Sequence, residues 1–167
     1  MKRIVFCLFI LCWTLSSCHK DVSPNDVPPG TISVKIDNDA STFNVQAKAT
    51  VLTVTGGYGI QIHGYKKEPS SSGTDLTITI ARPQPLSTGT YTENANSNPL
   101  VTMIHFVDLF FGYGTTTNSF LSTNDPLSVT ITELTAVSVK GTFRGELHSG
   151  PGAQAERFIS GVFNVSF

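Results

Sequence analysis

The chain has 167 residues, of which 14% are charged, and its formal net charge is −1. This weak, well-mixed charge argues against a nucleic-acid partner, because a nucleic-acid surface needs a basic stripe or patch. Threonine, serine and glycine are abundant, which favours short strands and turns over amphipathic helices.

The N-terminal segment is typical of a bacterial signal peptide. A basic start, Met1-Lys2-Arg3, is followed by an apolar run from Ile4 to Trp13. As a helix this run would rise about 15 Å, about half of a hydrocarbon core of roughly 30 Å, so it is too short to span a membrane. The next residues, Leu15-Ser16-Ser17-Cys18, resemble the lipobox of bacterial lipoproteins. The resemblance implies that residues 1–17 are removed and that Cys18 is lipidated; the alternative is an ordinary secretory signal with an incidental cysteine.

Lipidation of Cys18 would decide where the mature chain resides. Two acyl chains suffice for stable attachment to a membrane, since each buried methylene contributes about 0.8 kcal/mol. Together with this, the lipobox resemblance implies a lipoprotein of the outer membrane that faces either the periplasm or the cell surface. The other two cysteines, Cys7 and Cys12, lie in the segment that is removed. The mature chain would then have no free thiol for a disulfide, a metal site or a nucleophile.

Residues 18–30 are predicted to be the lipidated cysteine and a flexible tether. The segment has no apolar periodicity, and Pro24, Pro28 and Pro29 argue against regular hydrogen-bonded structure. At about 3 Å per residue, an extended tether could hold the following domain about 35 Å from the lipid.

From residue 31 onward, apolar residues recur with a period of two, which indicates β-strands. The alternation is clear in six segments: 32–36, 58–62, 76–80, 127–131, 137–147 and 159–167. Turn residues such as Gly56-Gly57 and Gly150-Pro151-Gly152 separate the strands. About ten short strands predict a single antiparallel β-sandwich over residues 31–167, and an open or closed β-barrel is the alternative.

The last predicted strand has a marked inward face. Its alternation directs Phe163, Val165 and Phe167 inward and Asn164 outward. We expect it to pair with the 137–147 strand, whose inward face begins at Val137, across the turn at 150–152.

Three groups of strand and turn residues resemble a group of small uncharacterised lipoproteins of Bacteroidota. They are Val34-Lys35-Ile36-Asp37 with Phe43, Gly89-Thr90-Tyr91, and the C-terminal strands 128–132, 139–143 and 159–163. The likeness covers most of residues 31–167, although Asn38-Asp39 stands where a glycine is common in that group. The resemblance implies an all-β lipoprotein, and no activity comes with it.

The sequence indicates no catalytic residue, no metal site and no cofactor. It contains no Gly-x-Ser-x-Gly motif, no phosphate-binding glycine loop and no obvious pair of carboxylates on a shared loop. His63, His105 and His148 lie on different predicted strands. His105 stands out because Val101 to Phe111 is almost continuously apolar, which predicts a strand buried on both faces. A buried histidine with satisfied hydrogen bonds is the simplest interpretation.

Two aromatic–glycine segments are the candidate binding sites, Gly57-Tyr58-Gly59 and Phe110-Phe111-Gly112-Tyr113-Gly114. An exposed ring can stack on a sugar or on a partner's apolar patch, whereas the alternative is that these rings close the ends of the core. We take Tyr58, Phe111 and Tyr113 as candidate ligand-binding residues. They suggest a non-catalytic, membrane-anchored module for a protein or glycan partner. A structural envelope component without a ligand, and a hydrolase whose residues converge only in three dimensions, are the alternatives.

Overall fold

The computed structural model describes residues 22–37, 39–66, 74–92, 127–147 and 157–167, together with the backbone of residues 102–107. This part of the chain contains ten strands: β1 Thr31–Ile36, β2 Asp39–Phe43, β3 Val45–Val54, β4 Gly57–Tyr65, β5 Asp75–Arg82, β6 Gly89–Thr92, β7 Thr102–Val107, β8 Ser128–Leu134, β9 Ser138–Leu147 and β10 Arg157–Ser166. A short 3-10 turn, Pro24–Asp26, precedes β1. The all-β fold class and the number of strands are as predicted from the sequence.

The strands form two antiparallel sheets. One has six strands in the order β2-β1-β10-β9-β8-β6, and the other has four in the order β3-β4-β5-β7. Within the described strands the two sheets do not close into a barrel. The structure therefore agrees with the predicted sandwich rather than with the closed barrel.

The strands of the smaller sheet cross the larger sheet at a steep angle. At one end of the β4–β5 pair, a Cβ on Gly64 would lie 3.2 Å from Ile32 Cδ1 in β1. At the other end, the guanidinium of Arg82 lies over the ring of Tyr91 in β6, 4.7 Å from its centroid. Since β1 and β6 are four strand spacings apart, about 19 Å, β4 and β5 run across the larger sheet. This is the orthogonal type of sheet packing.

The core lies between the sheets and is made by alternate residues of nearly every described strand. Its buried members are Ile32, Val34, Phe43, Ala49, Ile60, Ile62, Leu76, Ile78, Ile80, Tyr91, Leu127, Val129, Ile131, Val139, Phe143, Leu147, Ile159, Phe163 and Val165. The inward faces predicted for β1, β5 and β8 are thus confirmed. Most of those predicted for β4, β9 and β10 are confirmed as well.

Two phenylalanines pack over glycines on the neighbouring strand. Phe163 in β10 is the register partner of Gly141 in β9, and Phe143 is the partner of Gly161. A Cβ on either glycine would collide with the ring opposite. The alternation of phenylalanine and glycine in these strands therefore has a packing reason, since each ring occupies the space that a side chain would need.

The predicted pairing of the last strand with the 137–147 strand is confirmed, but one expected inward residue of each strand is exposed. β10 pairs antiparallel with β9, with Val165 opposite Val139. Val137 is 70% exposed and Phe167 is 41% exposed, so the prediction that both point into the core is wrong. Both residues lie just beyond the ends of their strands, where strand alternation no longer decides the direction of a side chain.

The part of the predicted tether that the structure describes, residues 22–30, packs on the domain instead of extending away from it. Val27 is 5% exposed, and its carbonyl accepts a hydrogen bond of 2.9 Å from Asn164 Nδ2. The Gly30 amide donates to the Asn164 carbonyl at 2.8 Å, and the Pro24–Asp26 turn contacts β9 and β10. The prolines exclude a strand here, but they allow a 3-10 turn capped by the Ser23 side chain. Asn164, predicted to face solvent, is covered by this segment and is 8% exposed.

Candidate functional site

The described surface that best suits a partner lies at the free end of the β3–β4 hairpin. The hairpin turns at Gly56, whose φ of 75° favours glycine. Tyr58 is the first residue after the turn that carries a side chain, and it is 52% exposed. It lies on the same face of β4 as the buried Ile60, whose partner in β3, Val51, is 70% exposed. The apolar face that forms the core therefore continues into solvent at this hairpin.

An arginine lies beside Tyr58 and is positioned by a second tyrosine. Arg82 of β5 is the register partner of Tyr58, and its guanidinium lies over the Tyr91 ring. The Tyr91 hydroxyl donates to the Ser87 carbonyl at 2.6 Å and accepts from the Ser87 amide at 2.9 Å. These two bonds hold the ring on which the guanidinium packs, and a cation over an aromatic face is itself stabilising.

We refer to Val51, Thr53, Tyr58 and Arg82 as the hairpin surface. Thr53 belongs to it as the cross-strand partner of Tyr58. Tyrosine and arginine are enriched where proteins bind partners, because they combine a large contact area with polar groups that fix orientation. The hairpin surface could stack a flat apolar group on Tyr58 while Arg82 donates hydrogen bonds to an acceptor beside it.

Of the three candidate binding residues, the structure describes Tyr58 only. Its ring lies at the end of the core face of β4 and is about half exposed, so part of it is open to a partner. Phe111 and Tyr113 lie outside the described residues, as does Cys18. Binding by these aromatic residues and lipidation of Cys18 remain predictions.

A histidine–carboxylate pair lies on the other face of β4 and β5, and sequence analysis did not identify it. His63 Nε2 is 3.5 Å from Asp75 Oδ2, and both side chains are a little over one-fifth exposed. The His63 ring also meets the edge of Tyr65, with the ring centroids 4.4 Å apart. The only available sequence signal was that strand alternation places His63 and Tyr65 on one face of β4.

His63 and His105 lie in one line of cross-strand partners that runs from β4 through β5 to β7. Thr77 of β5 is the register partner of His63 in β4 and of His105 in β7. Across the described residues, no group of three or more histidine, cysteine, aspartate or glutamate side chains could hold a metal ion. The side chain of His105 and the whole of His148 lie outside the described residues, so the predicted burial of His105 stays a prediction.

Comparison with known proteins gives no relative from which a function could be transferred. No family model matches the chain, and no curated protein or solved structure matches it. In the part of the chain that the structure describes, no helix is long and apolar enough to cross a membrane. A functional proposal therefore depends on the residues themselves.

Proposed function

We propose that this protein is a lipid-anchored, non-catalytic β-sandwich of the bacterial outer membrane that binds a glycan or protein partner through the hairpin surface. The observation that carries the proposal is the half-exposed Tyr58 ring beside an arginine that Tyr91 holds in place. An aromatic face next to a guanidinium suits a ligand with both an apolar face and hydrogen-bond acceptors. The Leu15-Ser16-Ser17-Cys18 sequence supports the anchoring part of the proposal.

The described polar groups favour binding over hydrolysis. The His63–Asp75 pair is the described arrangement closest to an acid–base pair, but a hydrolase also needs a nucleophile or a positioned water. The His63 ring also packs against the ring of Tyr65, which makes the pair a packed feature of the sheet surface.

Replacement of Cys18 by alanine tests the anchor. The variant is expected to lose all incorporation of lipid, because the thiol is the atom that would be acylated, and the precursor should stall or be released. The measurement is metabolic labelling of cells with palmitate, followed by separation of membrane and soluble fractions. Cys7→Ala, which changes a cysteine in the segment predicted to be removed, is the matched control and should label normally. Undiminished labelling of Cys18→Ala would show that the lipoprotein assignment is wrong.

Replacement of Tyr58 by alanine tests the hairpin surface. Affinity electrophoresis of the domain in gels that contain soluble bacterial polysaccharides is expected to show retardation of the wild type. Tyr58→Ala should weaken binding about fivefold or more, equivalent to about 1 kcal/mol for an aromatic contact. Phe158, which is 55% exposed and lies in the larger sheet, provides the control: Phe158→Ala should migrate like the wild type. Glycan binding through the hairpin surface would be contradicted if no polysaccharide retards the wild type, or if both variants lose binding equally.

A further inference from the structure

The hairpin surface carries one positive charge, the guanidinium of Arg82, and the strand segments around it carry no acid. Residues 51–60 of the β3–β4 hairpin and residues 78–92 of β5 and β6 contain no other charged side chain. The acids of β5 and β8 have partners elsewhere: Asp75, at the other end of β5, lies beside His63, and Glu133 is paired with Lys140. Within the described residues, the charge of Arg82 is therefore not balanced by a neighbouring carboxylate.

The Arg82 guanidinium also has hydrogen-bond donors that remain open. Arg82 is partly exposed, and its contact with the Tyr91 ring is the one polar or aromatic interaction of the guanidinium in the part of the chain that the structure describes. An aromatic face stabilises the charge but supplies no oxygen acceptor for the five N–H groups. The guanidinium is thus held in position and keeps donors for a ligand.

Tyr58 and Arg82 lie side by side on one face of the smaller sheet. They are cross-strand partners, and the Cβ atoms of residues directly opposite each other in an antiparallel pair are about 4.5–5.5 Å apart. A sugar ring stacked on Tyr58 would therefore have Arg82 beside its edge. In a uronic acid the carboxylate projects from the edge of the ring, which is the direction from which a neighbouring guanidinium can reach it.

The size and charge of the hairpin surface favour a carboxylated sugar over a protein or a phosphate. A stable protein interface uses about 20–30 residues on each side, far more than one exposed tyrosine and its neighbours. The two oxygens of a carboxylate match the paired N–H groups of a guanidinium. One arginine also balances the single charge of a carboxylate, whereas a phosphate monoester carries about 1.5–2 charges at neutral pH.

We infer that the hairpin surface recognises an acidic polysaccharide, with a uronic acid ring on Tyr58 and the carboxylate of that ring paired with Arg82. This inference rests on the proposed function and names the ligand class of the same site. Stacking on Tyr58 serves neutral and acidic sugars alike, and Arg82 gives the preference for acidic ones. Tyr91, held by its two hydrogen bonds to Ser87, positions the guanidinium.

Titration calorimetry with a matched pair of polymers tests the preference. The probes are polygalacturonate and the same polymer after chemical reduction of its carboxyl groups, and the full-length protein is titrated in detergent. Arg82→Gln removes the charge, whereas Arg82→Lys keeps the charge and loses the paired donors. Arg144→Gln is the matched control, because Arg144 is an exposed arginine of β9 in the larger sheet. Reduction of the carboxyl groups changes only the polymer, so the comparison in the wild type does not depend on how the Arg82 variants fold.

The wild type should bind polygalacturonate at least about tenfold more tightly than the reduced polymer, as expected for one charge-assisted, paired contact. Arg82→Gln should abolish this difference by weakening binding of the acidic polymer alone, Arg82→Lys should keep part of it, and Arg144→Gln should keep all of it.

Three outcomes would overturn the inference. Equal binding of the two polymers, with Tyr58→Ala weakening both, would do so and leave the proposed function intact. Equal losses in Arg82→Gln and Arg144→Gln would show general attraction to a polyanion instead of a site. Binding of neither polymer would exclude the acidic ligand, and if no polysaccharide retarded the wild type in affinity electrophoresis either, the proposed glycan binding would fail as well and a protein partner would be favoured.

Discussion

Replacement of Phe163 by alanine is expected to lower the free energy of unfolding by about 3–5 kcal/mol, the range for emptying a buried phenylalanine site. Phe163 is 0% exposed and belongs to the core between the sheets. Its ring fills the space above Gly141, and glycine has no side chain that could occupy the cavity. The loss is a large part of the roughly 5–15 kcal/mol that stabilises a typical domain.

Urea unfolding of residues 19–167, followed by circular dichroism, measures this loss as a lower midpoint at an unchanged slope. Ser160→Ala is the matched control, because Ser160 lies on the outward face of the same strand and is exposed. It should change the stability by less than about 0.5 kcal/mol. Equal midpoints for the two variants would mean that the two faces of β10 are interchanged, as a one-residue slip in register would cause.

Replacement of Asn164 by alanine is expected to cost about 1–3 kcal/mol, although Asn164 lies on the outward face of β10. The change removes the hydrogen bond from Nδ2 to the Val27 carbonyl. That carbonyl belongs to a residue that is 5% exposed, and a buried acceptor left without a donor costs about this much. The N-terminal segment should also loosen, because one of its two described hydrogen bonds to Asn164 is lost.

Two measurements test the role of Asn164. Urea unfolding gives the loss in stability, and hydrogen exchange of the Gly30 amide, which donates to the Asn164 backbone carbonyl, reports on the docked segment. We expect a lower midpoint and faster exchange at Gly30. Ser166→Ala, an exposed change on the same face, should alter neither. An unchanged midpoint together with unchanged exchange would contradict the docking of residues 24–30.

The candidate site was only partly predictable from sequence. The exposed ring of Tyr58 follows from a local feature, because flanking glycines in a hairpin mark a place where a ring can stand clear of the core. Its neighbour Arg82 was not predicted, since the pairing of β4 with β5 depends on a register that the alternation alone does not specify. The contact between Arg82 and Tyr91 needs the packing of two sheets.

The sequence by itself determined the strand pattern and most of the inward faces, because side-chain direction along a strand depends only on the parity of the residue. It also contains Leu15-Ser16-Ser17-Cys18, which resembles a lipobox and on which the proposed anchor rests. Tertiary structure alone decided which outward residues are covered and how the sheets cross. Asn164 is buried by a residue 137 positions away in the chain, and the crossing is defined by contacts that join β4 to β1 and β5 to β6. Local periodicity carries no information about such distant contacts, which form when whole faces meet and exclude water.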